Sequence, residues 1–223
     1  LRPVVFLGPS LPWSEAKALL DADYRQPIKR GDLPEVSPEV KLIGIIDGVF
    51  MGEAAVGHRE IIDALRAGAI IFGGSSMGAL RAYELKDYGM KGVGEVFRLF
   101  DEGVIEGDDE VALSFNPETL QAISEPLVNM RVNLNHAVEG GIISAEQRDS
   151  ILSELKGVYF PRRTKEILSE IARKSIGPED FSRLNVFFGN HYKDIKKEDT
   201  IEVLLHLKKA QQNLKKGGKS KRP

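Results

Sequence analysis

The stretch AIIFGGSSMGALRAYEL, residues 69–85, decides the reading of the fold. Ala69-Ile70-Ile71-Phe72 is a short apolar, β-rich run that stops at Gly73-Gly74, and a pattern with helical spacing begins at Ser76. A buried strand that passes through small residues straight into a helix is half of a βαβ unit. Within it, Gly74-Ser75-Ser76-Met77-Gly78 fits G-x-S-x-G, the pattern of a nucleophile elbow with Ser76 at its centre.

The same alternation occurs upstream. Val4-Val5-Phe6-Leu7 ends at Gly8-Pro9 and is followed by a helical pattern over residues 13–22. Lys41-Leu42-Ile43-Gly44-Ile45-Ile46 is almost continuously apolar, as a strand covered on both faces is, and ends at Asp47-Gly48 before a helix over 53–67. Strands alternating with helices predict an α/β fold, a mostly parallel sheet with βαβ crossovers in the N-terminal half. A short edge strand is expected within residues 26–32, where Pro27 argues against a central one, and another strand within 108–113. From Asn116 onward the patterns are helical alone, over 117–138, 145–156, 162–173, 178–188 and 196–214. This divides the chain into an α/β core at 1–115, an all-helical portion at 116–215 and a basic flexible tail at 216–223.

Composition narrows the chemistry. The 223 residues include no cysteine, which excludes disulfides, thiolate-bound metals and a thiol nucleophile. The formal charge of -2 includes seven positive charges and no acid after Leu207, leaving -9 on residues 1–207. An acidic body argues against a nucleic-acid-binding core. No apolar run approaches the roughly 20 residues of a membrane span, so a cytoplasmic location without a membrane partner is expected.

In an open parallel sheet the loops at the carboxyl ends of the strands converge on the ligand site. Three such loops carry Gly8-Pro9-Ser10, Asp47 and the opening motif. Ser76 is the candidate nucleophile, with the N–H groups of Met77 and Gly78 as oxyanion donors. His58 falls on the apolar stripe of the 53–67 helix with Ala55, Ile62 and Leu65, and is the candidate base, with Asp47 to orient it. Ser75, Arg81 and Gly8 are further candidates for contacting substrate. The plainer alternatives are that Ser75 or Ser76 caps a helix, that His58 is a core histidine, and that Arg81 pairs with Glu84 one turn on. Asp108-Asp109-Glu110 is either a cation loop or simply solvated, and no metal is assigned. The glycine-rich turn could also cradle a phosphate or nucleotide, although neither G-x-x-x-x-G-K-[ST] nor a strand-linked G-x-G-x-x-G occurs.

Gly8-Pro9-Ser10, Gly31-Asp32, Ile43 to Phe50, His58-Arg59-Glu60-Ile61, Gly74 to Ala82, Gly89-Met90, Gly92-Val93-Gly94 and Asp108 to Ala112 together resemble the TfuA-like family in order and spacing. The resemblance covers about residues 4–115. It implies a partner of a YcaO enzyme, which spends ATP to convert a peptide amide into a thioamide. It further implies that this partner engages a ubiquitin-like sulfur-carrier protein with a C-terminal thiocarboxylate and hydrolyses it to release sulfide. No cofactor of its own is implied. A non-catalytic adaptor that recruits or activates the YcaO enzyme is the alternative.

Overall fold

A computed structural model describes residues 2–36, 38–50 and 52–219. It holds two compact units, one of Leu1–Asp108 together with the segment from Lys196 on, the other of Asp109–Ile195. The first unit runs β1 (Val4–Phe6), α1 (Trp13–Leu19), β2 (Asp23–Arg25), β3 (Leu42–Ile45), α2 (His58–Arg66), β4 (Ile70–Gly73), α3 (Met77–Glu84), β5 (Lys91–Gly92) and α4 (Glu95–Asp101). Its five strands are all parallel, in the order β2-β1-β3-β4-β5. The chain therefore winds one way from β1 to β2 and the other way from β3 to β5, so the crevice between the ends of β1 and β3 is the switch point of the sheet.

Alternating side chains build a layer on each face. Val4, Phe6, Ile43, Ile45 and Ile71 pack with Ile61 of α2 and Ala82 of α3. Val5, Leu7, Leu42, Ile46 and Phe72 pack with Ala16 of α1 and with Val203, Leu204 and Leu207. Those last three belong to the final helix, α9 (Ile195–Lys219). Its helical pattern alone groups this helix with the all-helical portion, whereas it covers the sheet. Val203, Leu204 and Leu207 are 0% exposed, and their burial contributes about 6 kcal/mol.

Two local expectations change. The strand sought within 26–32 is β2 at Asp23–Arg25, ahead of Pro27, and Ile28 makes only an isolated bridge to Gly48. The strand sought within 108–113 is instead a single 3-10 turn at Asp108–Glu110. The glycine-broken segment after residue 88 supplies β5, paired with the end of β4 through Phe72 and Gly73.

The second unit contains α5 (Leu127–Glu139), α6 (Ala145–Lys156), α7 (Lys165–Ser175) and α8 (Pro178–His191) around Leu134, Ile151, Leu155, Leu168 and Leu184. Helix α5 starts ten residues later than its pattern suggested, because residues 115–122 close a turn through a Phe115–Ala122 bridge. Ser144 and Gln147 form a capping box at the start of α6, and the Thr164 hydroxyl caps α7. Among the described residues no helix is long and apolar enough to cross a membrane. The tail read at 216–223 lies outside the described residues from Ser220 on.

The N-terminal end of α9 holds the α/β unit by a buried carboxylate. Asp199 accepts from the N–H groups of Glu95 (2.7 Å) and Val96 (2.8 Å), capping α4 from 103 or more residues away in sequence. Gly94, at φ +95, has room for this because a Cβ there would stand 2.3 Å from the Asp199 carboxyl carbon. Burial pushes the Asp199 carboxyl up to about 7; the two amide bonds oppose that, and the Glu202 and Glu95 carboxylates add to it. The folded state then holds a proton that the unfolded chain has released between the ordinary carboxylate range and pH 7. Stability contributed by this group is thus complete at acid pH and is lost as pH rises towards 7. Urea denaturation is expected to show a decline of about 2 kcal/mol between pH 5 and pH 7 that Asp199→Asn removes. Equal slopes in the two proteins would contradict it.

Candidate functional site

Register places the site. Phe6 pairs with Ile45 and Ile45 with Gly73, so two residues further on Gly8, Asp47 and Ser75 emerge side by side at the carboxyl edge. The Asp47 carboxylate, buried, fills the switch point. Its Oδ2 accepts from the N–H of Gly8 (2.8 Å) and of Ser10 (3.1 Å), and its Oδ1 accepts from Ser10 Oγ (2.7 Å). Ser75 Oγ donates to Ser10 Oγ at 3.1 Å, so two hydroxyls lead in line to one carboxylate.

Ser75 is also the strained residue of the motif. It has φ 68, and the Ser76 N–H reaches back to the Gly74 carbonyl at 2.8 Å, closing a three-residue turn around it. A left-handed non-glycine residue of this kind costs about 1–3 kcal/mol and persists only where its surroundings hold it. Here the Ser10 bond and complete burial hold it.

Ser76 stands at the N-cap of α3, but its side chain makes no cap bond. Its Oγ accepts instead from Lys196 Nζ at 2.9 Å, from the first turn of α9, at a sequence separation of 120. Both residues are 2% exposed. Neither serine is therefore the side-chain helix cap that was the plainer reading of the motif.

Several expected roles meet a different geometry. His58 does begin α2, but the helix starts there and not at residue 53, so Ala55 shares no helical stripe with it and Ile61 carries the burial. The His58 side chain is half-exposed, and its Nε2 pairs with Glu84 at 2.8 Å. Among the described residues neither Asp47 nor Ser76 is its hydrogen-bond partner; Asp47 orients the turn after β1 and not an imidazole. The N–H groups of Gly8 and Gly78 are engaged, the first by Asp47 and the second by the Ile46 carbonyl at 3.1 Å. The Met77 N–H, the partner of Gly78 in the expected oxyanion pair, stands at the first helical position, where such a group has no acceptor within its own helix. Arg81 pairs with the same Glu84 oxygen as His58, at 2.5 Å, and donates to the Val56 carbonyl at 3.2 Å. Arg81 and Met77 line a cavity of about 380 Å³ with Phe50, Leu80 and Asp108. A larger cavity of about 530 Å³, beside α2 and the loop from Arg30 to Val40, contains none of the groups at the sheet edge.

Two participants went unassigned in the sequence, Ser10 and Lys196. The signal for Lys196 was present: it stands at i, with Thr200, Val203 and Leu207 at i+4, i+7 and i+11, so a lysine occupies an otherwise buried stripe.

The order of the strands defines a doubly wound α/β protein with a buried polar cluster at the edge after β1, β3 and β4. A sequence profile of the TfuA-like protein family matches residues 47–164, just over half of the chain, and the chain belongs to that family. The match begins at Asp47, takes in the serine motif and reaches into the helical unit beyond the region whose resemblance was read from motifs. No curated protein matches the chain. Membership supports a partner role in a YcaO system.

Proposed function

We propose that this protein hydrolyses the C-terminal thiocarboxylate of a ubiquitin-like sulfur-carrier protein, releasing sulfide for a YcaO enzyme that thioamidates a peptide backbone. The observation that carries the reading is the Ser76 hydroxyl. It occupies a helix N-cap at the carboxyl edge of the sheet, is not spent on capping, and stands next to the Met77 N–H. A hydroxyl and an amide donor so placed suit acyl transfer, in which the first attacks a carbonyl carbon and the second holds the oxyanion. The chain needs no cofactor for this reaction, and ATP is consumed by the YcaO partner. The work belongs in the cytoplasm, where that ATP is.

The test is sulfide release from thiocarboxylated carrier. The wild-type protein is expected to exceed buffer, and Ser76→Ala to lose about 100-fold or more. His58→Ala, whose ring faces solvent and Glu84, is expected to stay within about twofold of wild type. Unchanged release by Ser76→Ala would remove that serine as nucleophile.

One observation favours a second reading, a non-catalytic adaptor for the YcaO enzyme. Ser75 is 0% and Ser76 2% exposed, as in a turn that serves the fold. Wild-type release no faster than buffer, together with stimulation of the YcaO enzyme by the Ser76→Ala variant, would select it.

A further inference from the structure

We infer that the cavity between α2 and the loop at 30–40 is a binding site for an unbranched acyl chain with an anionic head, the head resting at Arg30. The site contains none of the groups at the sheet edge, so it stands or falls independently of the hydrolase reading.

Close-packed interiors leave few voids larger than a water molecule, so an apolar space of about 530 Å³ calls for an occupant. Ile43 of the central strand β3 lines it, with Leu33, Val36 and Val40 from the loop and Ala64 and Ala67 on the side of α2. The two sides are held apart. Glu60 of α2 accepts from the Gly31 N–H at 2.8 Å and the Gly57 N–H at 3.1 Å, which ties the start of the loop to the start of the helix. The Arg30 N–H donates to the Ala54 carbonyl at 2.8 Å, and the Val36 N–H to the Leu33 carbonyl at 3.0 Å, so the loop folds on itself and does not lean across the gap. Gly57, Glu60, Ala64 and Ala67 recur at helical spacing on one face, and the two alanines leave empty what a leucine would fill.

Shape selects the occupant. From Gly57 to Ala67 the helix rises about 15 Å, so the space averages about 35 Å² in section. That admits a single methylene chain, whereas an extended peptide carries side chains to both sides of its backbone.

Charge selects the direction. The two cations of the lining, Arg30 and Arg59, stand at the Gly57 end. Arg30 Nε donates to the Glu53 carbonyl at 2.5 Å, which fixes the guanidinium, and its Nη1 lies 3.9 Å from the position of a Cβ on Gly57. Among the described residues no carboxylate pairs with Arg30; Glu60 is engaged by the two amides, and Asp63 by Arg59 and Arg66. A carboxylate head is therefore received by the unused edge of a planar guanidinium, and its chain runs along α2 towards Ala69.

Calorimetric titration of the full chain with decanoate, octanoate and decylammonium tests this. Decanoate is expected to saturate one site per chain. Octanoate, two methylenes shorter, should bind about tenfold more weakly. Decylammonium keeps the decanoate chain and reverses the head charge, and should also be weaker by about tenfold. Ala67→Leu, at an exposed position that tolerates the larger side chain, is expected to weaken decanoate about tenfold or more without lowering the urea midpoint. Arg30→Gln should weaken decanoate about tenfold and leave decylammonium unchanged, and being exposed it carries the test if Ala67→Leu unfolds. No saturable binding of decanoate overturns the inference, as does equal affinity for decanoate and decylammonium, or binding that neither variant alters. A concentration-dependent dimer that Ala67→Leu dissociates overturns it too, in favour of a second copy of the chain seated in the cavity.

Discussion

Gly78→Ala is expected to destabilise the α/β unit by on the order of 4 kcal/mol, which makes Gly78 among the costliest single positions to change. A Cβ built on Gly78 stands 1.8 Å from the Ile45 carbonyl oxygen and 2.6 Å from its carbon. Both are backbone atoms of the central strand, so no rotamer change relieves the contact. Helix α3 would have to lift from the sheet, stretching the 3.1 Å bond from the Gly78 N–H to Ile46 and moving the buried Met77 and Ala79. Because Ser76 is the residue before α3, its hydroxyl would move away from Lys196 as well. The control is Gly57→Ala, where the nearest atom is Glu60 Oε1 at 3.4 Å, the end of a flexible side chain. Its expected effect is within about 1 kcal/mol. Trp13, the only tryptophan, packs in the α/β unit and reports its unfolding by fluorescence in urea. Two equal midpoints would show that the helix start has more freedom than the distances allow.

How much of this was legible in the sequence follows from the range of the interactions. The apolar runs at 42–46 and 69–72 and the turn residues after them define the alternation of strands and helices, since each signal spans fewer than ten residues. Strand ends locate the site by the same logic, and Gly8, Asp47 and Ser75 do emerge together. His58 was misplaced because its stripe was counted from residue 53. A chain that bends at Gly57 restarts the helical count there, and a shift of that kind turns a side chain from the core to solvent. Asp47 found a nearer partner than an imidazole: the loop after β1 is adjacent by register, whereas His58 lies eleven residues further along the chain. The role of α9 was hidden by its distance in sequence. A helical unit of 87 residues, Asp109–Ile195, intervenes before the chain returns to cover the second face of the sheet. Helix propensity alone assigns a helix and not its partner, and the stripe from Lys196 to Leu207 becomes informative only once a face with α1 alone is seen to need a second cover.

Asp47 supplies the second large effect, and it separates the observed geometry from the role first given to this residue. In Asp47→Ala three buried donors, the N–H groups of Gly8 and Ser10 and the Ser10 hydroxyl, lose their acceptor at once. Each unsatisfied buried donor costs about 1–3 kcal/mol, and water entering at the sheet edge recovers part of it, so a loss of about 3–5 kcal/mol is expected in urea denaturation. Asp47→Asn should lie between this variant and wild type, because its one remaining oxygen can serve the two N–H groups but its amide presents donors towards the Ser10 hydroxyl. Ser10→Ala removes two bonds, the one Ser10 donates to Asp47 and the one it accepts from Ser75, and leaves the carboxylate with both amide partners, at about 2 kcal/mol. The consequence continues along the hydrogen-bond line. Without Asp47 the Ser10 hydroxyl is free to turn, Ser75 loses the contact that holds its left-handed backbone, and the turn that aims Ser76 at Lys196 relaxes. Sulfide release should therefore fall with stability across Ser10→Ala, Asp47→Asn and Asp47→Ala, while His58→Ala changes neither. If Asp47 served to orient His58, the Asp47 and His58 variants would match each other in rate at nearly full stability, and that pattern would restore the histidine to the site.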